Sequence, residues 1–250
     1  MKNDRLLKVF NSLTFPAFKE MGFDEYFKWL DSQKQKWSDL HLNAGNEEFE
    51  KTMNSLVKEC GIEEIVETGT CFGTGSTTIL AKIGIPIHTI EVDLRRHEIA
   101  KGILADYPNV NLIHAYSLNK DNLVKFVKEK RKHWETKNGK DWAERHTESM
   151  LNELCEPKDR ENQRPKQENL LVELISNTKK QIIFLDSAGA VGFLEFMAVV
   201  SIDPVFLSKK IIYMDDSNCE KHKNSVQWLE DNGYEYTYVH GKRQCYAKMQ

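Results

Sequence analysis

Short β-branched runs alternate with helix-patterned segments along most of this chain, and that alternation constrains the fold more than any other feature. "IEEIVET" is followed by "STTILAKIG", "PIHTIEVD" by "LRRHEIAKGILADY", and "NVNLIHAYS" completes a first set. Later, "QIIFLDSAG" precedes "GFLEFMAVVS", and "KKIIYMDDSN" precedes "KHKNSVQWLEDNG". Strands that alternate with helices build βαβ units on a parallel sheet. The final runs, "YEYTYVH" and "QCYAKM", flank a turn at Gly241-Lys242 and read as a hairpin. The expected fold is α/β: a doubly wound, Rossmann-like, mostly parallel sheet closed by a C-terminal antiparallel hairpin.

Two segments stand outside that rhythm. Residues 1–60 carry apolar residues at helix spacing and form an expected N-terminal helical segment, with Gly61 as a stop after Cys60. Trp29 and Trp37 share one stripe of it, which suits core packing, a cover over a ligand, or a homodimer contact. The second segment interrupts the 61–250 domain between the third and fourth strands. Residues 118–180 are dense in Lys, Glu, Arg and Asn and too long for an ordinary crossover. They read as a helical insertion, with "CEPKDRENQRPKQE" as an exposed loop. A lid, a substrate-binding element, a dimer contact and a decorative excursion are all compatible with it.

Bulk properties exclude some classes. Charged residues make up 29% of the 250, but the formal net charge is −3, which is no footprint for nucleic acid. "KFVKEKRKHW" is basic with an aromatic, yet acidic residues follow it, as on a solvated helix face. The five cysteines include no C-x-x-C pair, so neither a disulfide framework nor a zinc knuckle is expected. No apolar run approaches a membrane span. The expected setting is cytoplasmic, without membrane or nucleic-acid partners.

The chemistry centres on "IVETGTCFGTGSTT", residues 65–78, where a strand turns abruptly into glycines. Such a turn lets the backbone approach a ligand and aims the next helix N-terminus at it. A triphosphate loop would need lysine after the last glycine, and Ser76 stands there. A dinucleotide fingerprint fails too: from Gly69 its later glycine positions are Cys71 and Thr74, and from Gly73 the third is Thr78. Glu67 would also repel a pyrophosphate. A ligand with a cationic end suits that carboxylate, and S-adenosylmethionine is one. The alternative is that Glu67 caps the helix of residues 76–83.

Here the sequence resembles class I S-adenosylmethionine-dependent methyltransferases, whose first motif is roughly [ED]-x-G-x-G-x-G. It reads Glu67-x-Gly69-x-Cys71-x-Gly73, with cysteine at the second glycine. The resemblance implies a methionine-side subsite from Glu67, Gly69, Thr70, Gly73 and Ser76. Glu91, about twenty residues on, ends the second strand, where a carboxylate can accept from ribose hydroxyls. Asp93 is the alternative acceptor, or a helix cap. Tyr116 and Ser117 fall where adenine contacts arise in that family.

Two later strands end in carboxylates, Asp186 and the pair Asp215 and Asp216. Gathered at one rim they would repel one another, and Mg²⁺ would relieve this. The Asp…Asp-Asp pattern resembles metal-dependent O-methyltransferases of the macrocin or sugar type, over about residues 61–250 without the insertion. That resemblance implies Asp186, Asp215 and Asp216 as metal ligands and Asp186 also as a catalytic and cofactor contact. The acidic base of the sugar-type enzymes falls on Ala188, so the base must differ. His222, a water, or a lysine from the insertion are the candidates. Phe193 and Phe196 read as core. The expected activity is methyl transfer from S-adenosylmethionine to a small-molecule hydroxyl, with Mg²⁺ as an aid. The alternatives are a metal-independent N-methyltransferase and a cofactor-binding protein without catalysis.

Overall fold

β1 (Glu64–Thr68) is buried along its whole length, as the centre of a parallel sheet must be. Around it lie β2 (Ile87–Glu91), β3 (Val110–His114), β4 (Gln181–Leu185) and β5 (Lys210–Met214), then β6 (Tyr236–Val239) and β7 (Gln244–Lys248). The seven strands run in the order β3-β2-β1-β4-β5-β7-β6. The first five pair in parallel, while β7 is antiparallel to both β5 and β6. This is the doubly wound sheet with a terminal hairpin that the alternation predicts. The computed structural model describes residues 47–249, so the helices expected over 1–46, with Trp29 and Trp37, lie outside the described residues.

Alternation within the strands divides the core into two layers. Ile65, Ile87, Ile182, Phe184, Ile211 and Tyr213 face one side. There they meet α1 (Glu47–Cys60) through Phe49, Met53 and Leu56, and α2 (Ser76–Ile83) through Leu80 and Ala81. Helix α1 ends at Cys60, and Gly61 follows at φ +63, as the glycine stop predicts. The opposite face offers Val66, Ile90, Ile183, Leu185, Ile212 and Met214. Over it lie α7 (Val191–Val200) and α9 (Lys223–Asp231), with Phe196, Val199, Val226 and Leu229 buried. Phe196 is core as expected, and Phe193 is half-buried. Helix α3 (Leu94–Ile103) follows β2, and the short α8 (Pro204–Leu207) precedes β5.

The insertion is helical. Helices α4 (Lys120–Asn138) and α5 (Lys140–Glu153) pack as a hairpin about Gly139, which sits at φ +85. A 3₁₀ turn (Lys158–Gln163) and α6 (Leu170–Ile175) return the chain to β4. The segment expected as an exposed loop is instead anchored. Arg160 is buried, and its guanidinium donates to Asp93 at 2.7 Å and to the Asn152 carbonyl. Beyond β3, the Tyr116 amide donates to the Gln167 carbonyl at 3.0 Å, so the returning chain adds a short bridge to the sheet edge.

Candidate functional site

A cavity of about 270 Å³ opens where the C-terminal ends of β1, β2, β4 and β5 meet the insertion. That rim is where doubly wound sheets place ligands. From the strand ends come Thr68, Gly69, Glu91, Asp186, Asp215 and Asp216. The insertion adds Met150, Glu153 and Leu154 from α5 and the residues after it, so it forms one wall. Of the alternatives open for the insertion, the structure therefore makes it part of the site.

Glu67 does not line this cavity. Its carboxylate is wholly buried and accepts from Ser76 Oγ at 2.8 Å, Thr77 Oγ1 at 2.8 Å and Thr89 Oγ1 at 2.6 Å. Burial raises its pKa, and the three hydroxyls only partly offset that. A carboxylate at a helix N-terminus is favourable to the helix dipole. Glu67 receives side-chain hydroxyls rather than helix amides, and through them it ties α2 to β1 and β2 from behind the turn. Ser76 serves the same bracket, and Thr70 pairs with Thr89 at 2.6 Å. Gly73 packs against α3, where an added Cβ would lie 3.1 Å from the Leu104 side chain. These four residues shape the turn rather than face the cavity.

The turn itself is held by two conformational demands. Gly69 sits at φ +84, and a Cβ there would come within 2.5 Å of the Asp186 carbonyl oxygen. Only glycine meets both conditions. Cys71 also lies in the left-handed region, at φ +54, without being glycine. Its amide donates to Glu91 Oε2 at 2.7 Å, which keeps the strained backbone in place. Burial pushes its thiol up to about 12, so the thiol is neutral and lines the cavity as a small apolar group.

Glu91 faces the cavity while accepting from two amides, Cys71 and, at 2.8 Å, Asp93. Burial raises its pKa to about 7, with Arg96 pulling the other way. Asp93 takes the capping role. Its side chain receives the Arg95 and Arg96 amides, and Arg95 and Arg160 hold it well below the usual carboxylate range despite burial. Tyr116 lines the cavity with its ring and donates its hydroxyl to the Leu154 carbonyl at 2.8 Å. Ser117 lines it as well.

The three aspartates converge, but around a lysine. Lys221 Nζ lies 2.7 Å from Asp186 Oδ1 and 3.7 Å from Asp216 Oδ2, with its side chain only 6% exposed. Arg243 reaches Asp215 at 3.4 Å and Asp216 at 3.2 Å, and Gln244 donates to Asp215 at 2.8 Å. Burial works against the Lys221 charge, but Asp186, Asp215 and Asp216 together raise its pKa and keep it an ammonium. A divalent ion does not fit: the space between the carboxylates already holds a cation that must stay charged. Among the described residues, no three His, Cys, Asp or Glu side chains converge as metal ligands. The expected Mg²⁺ site at Asp186, Asp215 and Asp216 is therefore corrected to a salt-bridge cluster.

His222 is corrected too. Its ring lies under α7, so that a Cβ on Gly192 would meet its Nε2 at 2.7 Å, and Nδ1 faces Ser225 Oγ at 3.1 Å. It is wholly buried and does not line the cavity. Burial and the adjacent Lys221 charge hold it neutral, well below its ordinary pKa. It packs the wall and has no route to a reacting hydroxyl.

Sequence reasoning missed two groups. Lys221 reads as one more surface lysine in "NCEKHKN", and only the closeness of two aspartate-tipped strands hints at a cation between them. Glu195, inside the apolar run "GFLEFM", is the other. Its buried carboxyl accepts from Thr68 at 2.9 Å and Ser187 at 2.8 Å, two residues of the cavity wall. A lone glutamate in an apolar run is the signal that could have found it.

No protein-family model matches the sequence, and no curated protein matches it. Solved structures do resemble it at low identity. A protein from Staphylococcus aureus described as a caffeoyl-CoA O-methyltransferase aligns with a TM-score of 0.48 and 13% identity, over 87% of this chain and 91% of its own. An O-methyltransferase from Bacillus cereus, solved in complex with SAH, gives 0.44 and 16%, over 88% and 90%. A precorrin-6y C5,15-methyltransferase from Geobacter metallireducens gives 0.41 and 11%, over 82% and 91%. These are distant likenesses in chain path, and the functional reading rests on the cavity's own residues.

Proposed function

We propose that the protein binds S-adenosylmethionine in this cavity and transfers its methyl group to a hydroxyl of a small molecule. The observation that carries the reading is the charge of the walls. Five acidic side chains, Glu91, Glu153, Asp186, Asp215 and Asp216, line the cavity against two basic ones, Arg96 and Lys221. The acidic groups stay in excess with Arg243 behind Asp215 and Asp216, although burial raises the pKa of Glu91 and Asp186. Such walls disfavour a pyrophosphate or triphosphate and favour a ligand with cationic groups. The glycine turn, the strand-end carboxylate at Glu91 and the ring of Tyr116 match the motif order of the class I methyltransferases.

When bound, S-adenosylmethionine supplies an activated methyl group on a sulfonium. The chain's own residues do the rest by placement. Glu91 accepts from ribose hydroxyls while its two amide donors fix its orientation. Tyr116, Ser117 and Leu154 wall the adenine end. Gly69, with its backbone close against Asp186, brings the methionine end to the β4 tip. Asp186 accepts the proton of the acceptor hydroxyl. Holding two reactants in line contributes most of the rate in such transfers. The cavity volume, about 270 Å³, lies just below the ~300–1,000 Å³ usual for small-molecule sites.

Calorimetry with S-adenosylhomocysteine tests this. Binding to the wild type is expected, with Glu91→Ala weakening it at least about tenfold, or ~1.4 kcal/mol. No binding to the folded wild type would sink the reading.

A further inference from the structure

We propose that Lys221 is the site's built-in cation, standing where a divalent ion would otherwise be needed, and that it selects acceptors whose reacting hydroxyl is already acidic, of the phenol or enol class. The first half rests on the cluster geometry alone. The second rests on the methyl-transfer reading above.

Lys221 follows β5 and points back across the cavity rim to the β4 tip. Its Nζ contacts Asp186 at 2.7 Å and lies 3.7 Å from Asp216, while Arg243 and Gln244 hold Asp215 from the other side. Three carboxylates are thus met by two cations that belong to the chain. An ammonium carries three donors, and the single short contact at Asp186 leaves others for a ligand oxygen. Asp186 keeps 17% of its side chain exposed beside that ammonium. An acceptor oxygen placed there receives a hydrogen bond from Lys221 and gives its proton to Asp186.

The strength of this cation sets the acceptor class. A metal ion acidifies a bound hydroxyl by many pK units. One ammonium, already shared with carboxylates, does far less. An aliphatic sugar hydroxyl stays protonated beside it, whereas a phenol, with a pKa near ~10 like that of tyrosine, comes within reach. The wall beyond Gly189 agrees. Its glycine backs onto Met150 and His146, and His146 stacks on Trp142 at 4.5 Å with Trp134 edge-on to both. Trp142 is 38% exposed and brings this aromatic cluster to the surface. In the reaction, the acceptor O–H proton passes to the Asp186 carboxylate and the oxygen forms a bond to the methyl carbon. As that bond forms, the carbon–sulfur bond breaks with its electrons on sulfur, which leaves a neutral thioether.

The test uses the full chain and three probes. Titration with MnCl₂ and MgCl₂ should show no binding to the wild type at millimolar metal, and Lys221→Ala should gain Mn²⁺ binding as its carboxylates are released. Tight metal binding by the wild type would overturn the proposal. Para-nitrophenol, whose absorbance reports its ionisation, should bind the wild-type S-adenosylhomocysteine complex with its pKa lowered by about one unit. At saturating S-adenosylhomocysteine, Lys221→Met should abolish that shift, and Lys221→Arg should restore part of it. An equal shift in Lys221→Met, or no shift in the wild type, would also overturn it. Should the wild type bind no S-adenosylhomocysteine, the methyl-transfer reading and the acceptor class fall together. The metal titration, which needs no cofactor, still decides the role of Lys221.

Discussion

At the scale of single residues, the site is built on positions where the backbone is more demanding than the side chain. Cys71 holds a left-handed conformation that costs a non-glycine residue about 1 kcal/mol. Cys71→Gly should therefore raise stability by roughly that amount, seen as a melting temperature ~2–4 °C higher. Glu91 leads to a prediction about pH. Its ordinary pKa is 4.5, and in the folded protein it is about 7. The folded state thus holds a proton that the unfolded chain has released between those values, so stability falls as pH rises through that window. The effect reaches at most ~3 kcal/mol. In urea titrations at about pH 5 and pH 8, Glu91→Gln should flatten the difference seen in the wild type. An unchanged pH slope in the variant would count against it. Gly69, Glu91 and Tyr116 were legible in the sequence because a motif fixes their spacing. Lys221 and Glu195 were not, because a defining partner of each lies far along the chain, Asp186 35 residues from Lys221 and Thr68 127 residues from Glu195, and spacing carries no information about those.

At the scale of elements, the strands and the hairpin could be read because each is a short apolar run bounded by turn residues. The insertion could be read as helical but not placed. Its helices bury few side chains, and what locates them is pairwise. Trp134 is fully buried and donates to Glu220 at 2.8 Å, which joins α4 to the loop that carries Lys221. Trp134→Ala should cost ~3–5 kcal/mol in a denaturant titration. It should also disturb the loop, lowering affinity for any acceptor more than for S-adenosylhomocysteine. Under α7, Gly192 leaves room for the His222 ring. Gly192→Ala would force the ring aside and is expected to destabilise by ~1–3 kcal/mol. A neutral outcome in thermal melts would mean that the ring has somewhere to go.

At the scale of the whole molecule, the sheet provides the rim and the insertion closes it. The fold class was readable from the order of runs along the chain, whereas the closure was not. Closure depends on Arg160 reaching Asp93 and Arg96 reaching Glu153, at 2.7 and 3.2 Å. Arg160→Met should loosen the wall and speed proteolysis within residues 156–166, read as band intensity over time. The bridge at Gln167 has a further consequence. Tyr116 donates to it, and the Leu170 and Leu171 amides donate back to Tyr116 and Ser117 at 3.3 and 3.0 Å. That end of the insertion is stitched to the sheet edge by main chain, while the α4–α5 end turns on a single glycine. In deuterium exchange the two ends should keep different clocks, with Tyr116, Leu170 and Leu171 slow and the amides of the Gly139 turn fast. The stitched seam would then stay shut through every turnover, and any opening of the wall would fall to the α4–α5 end.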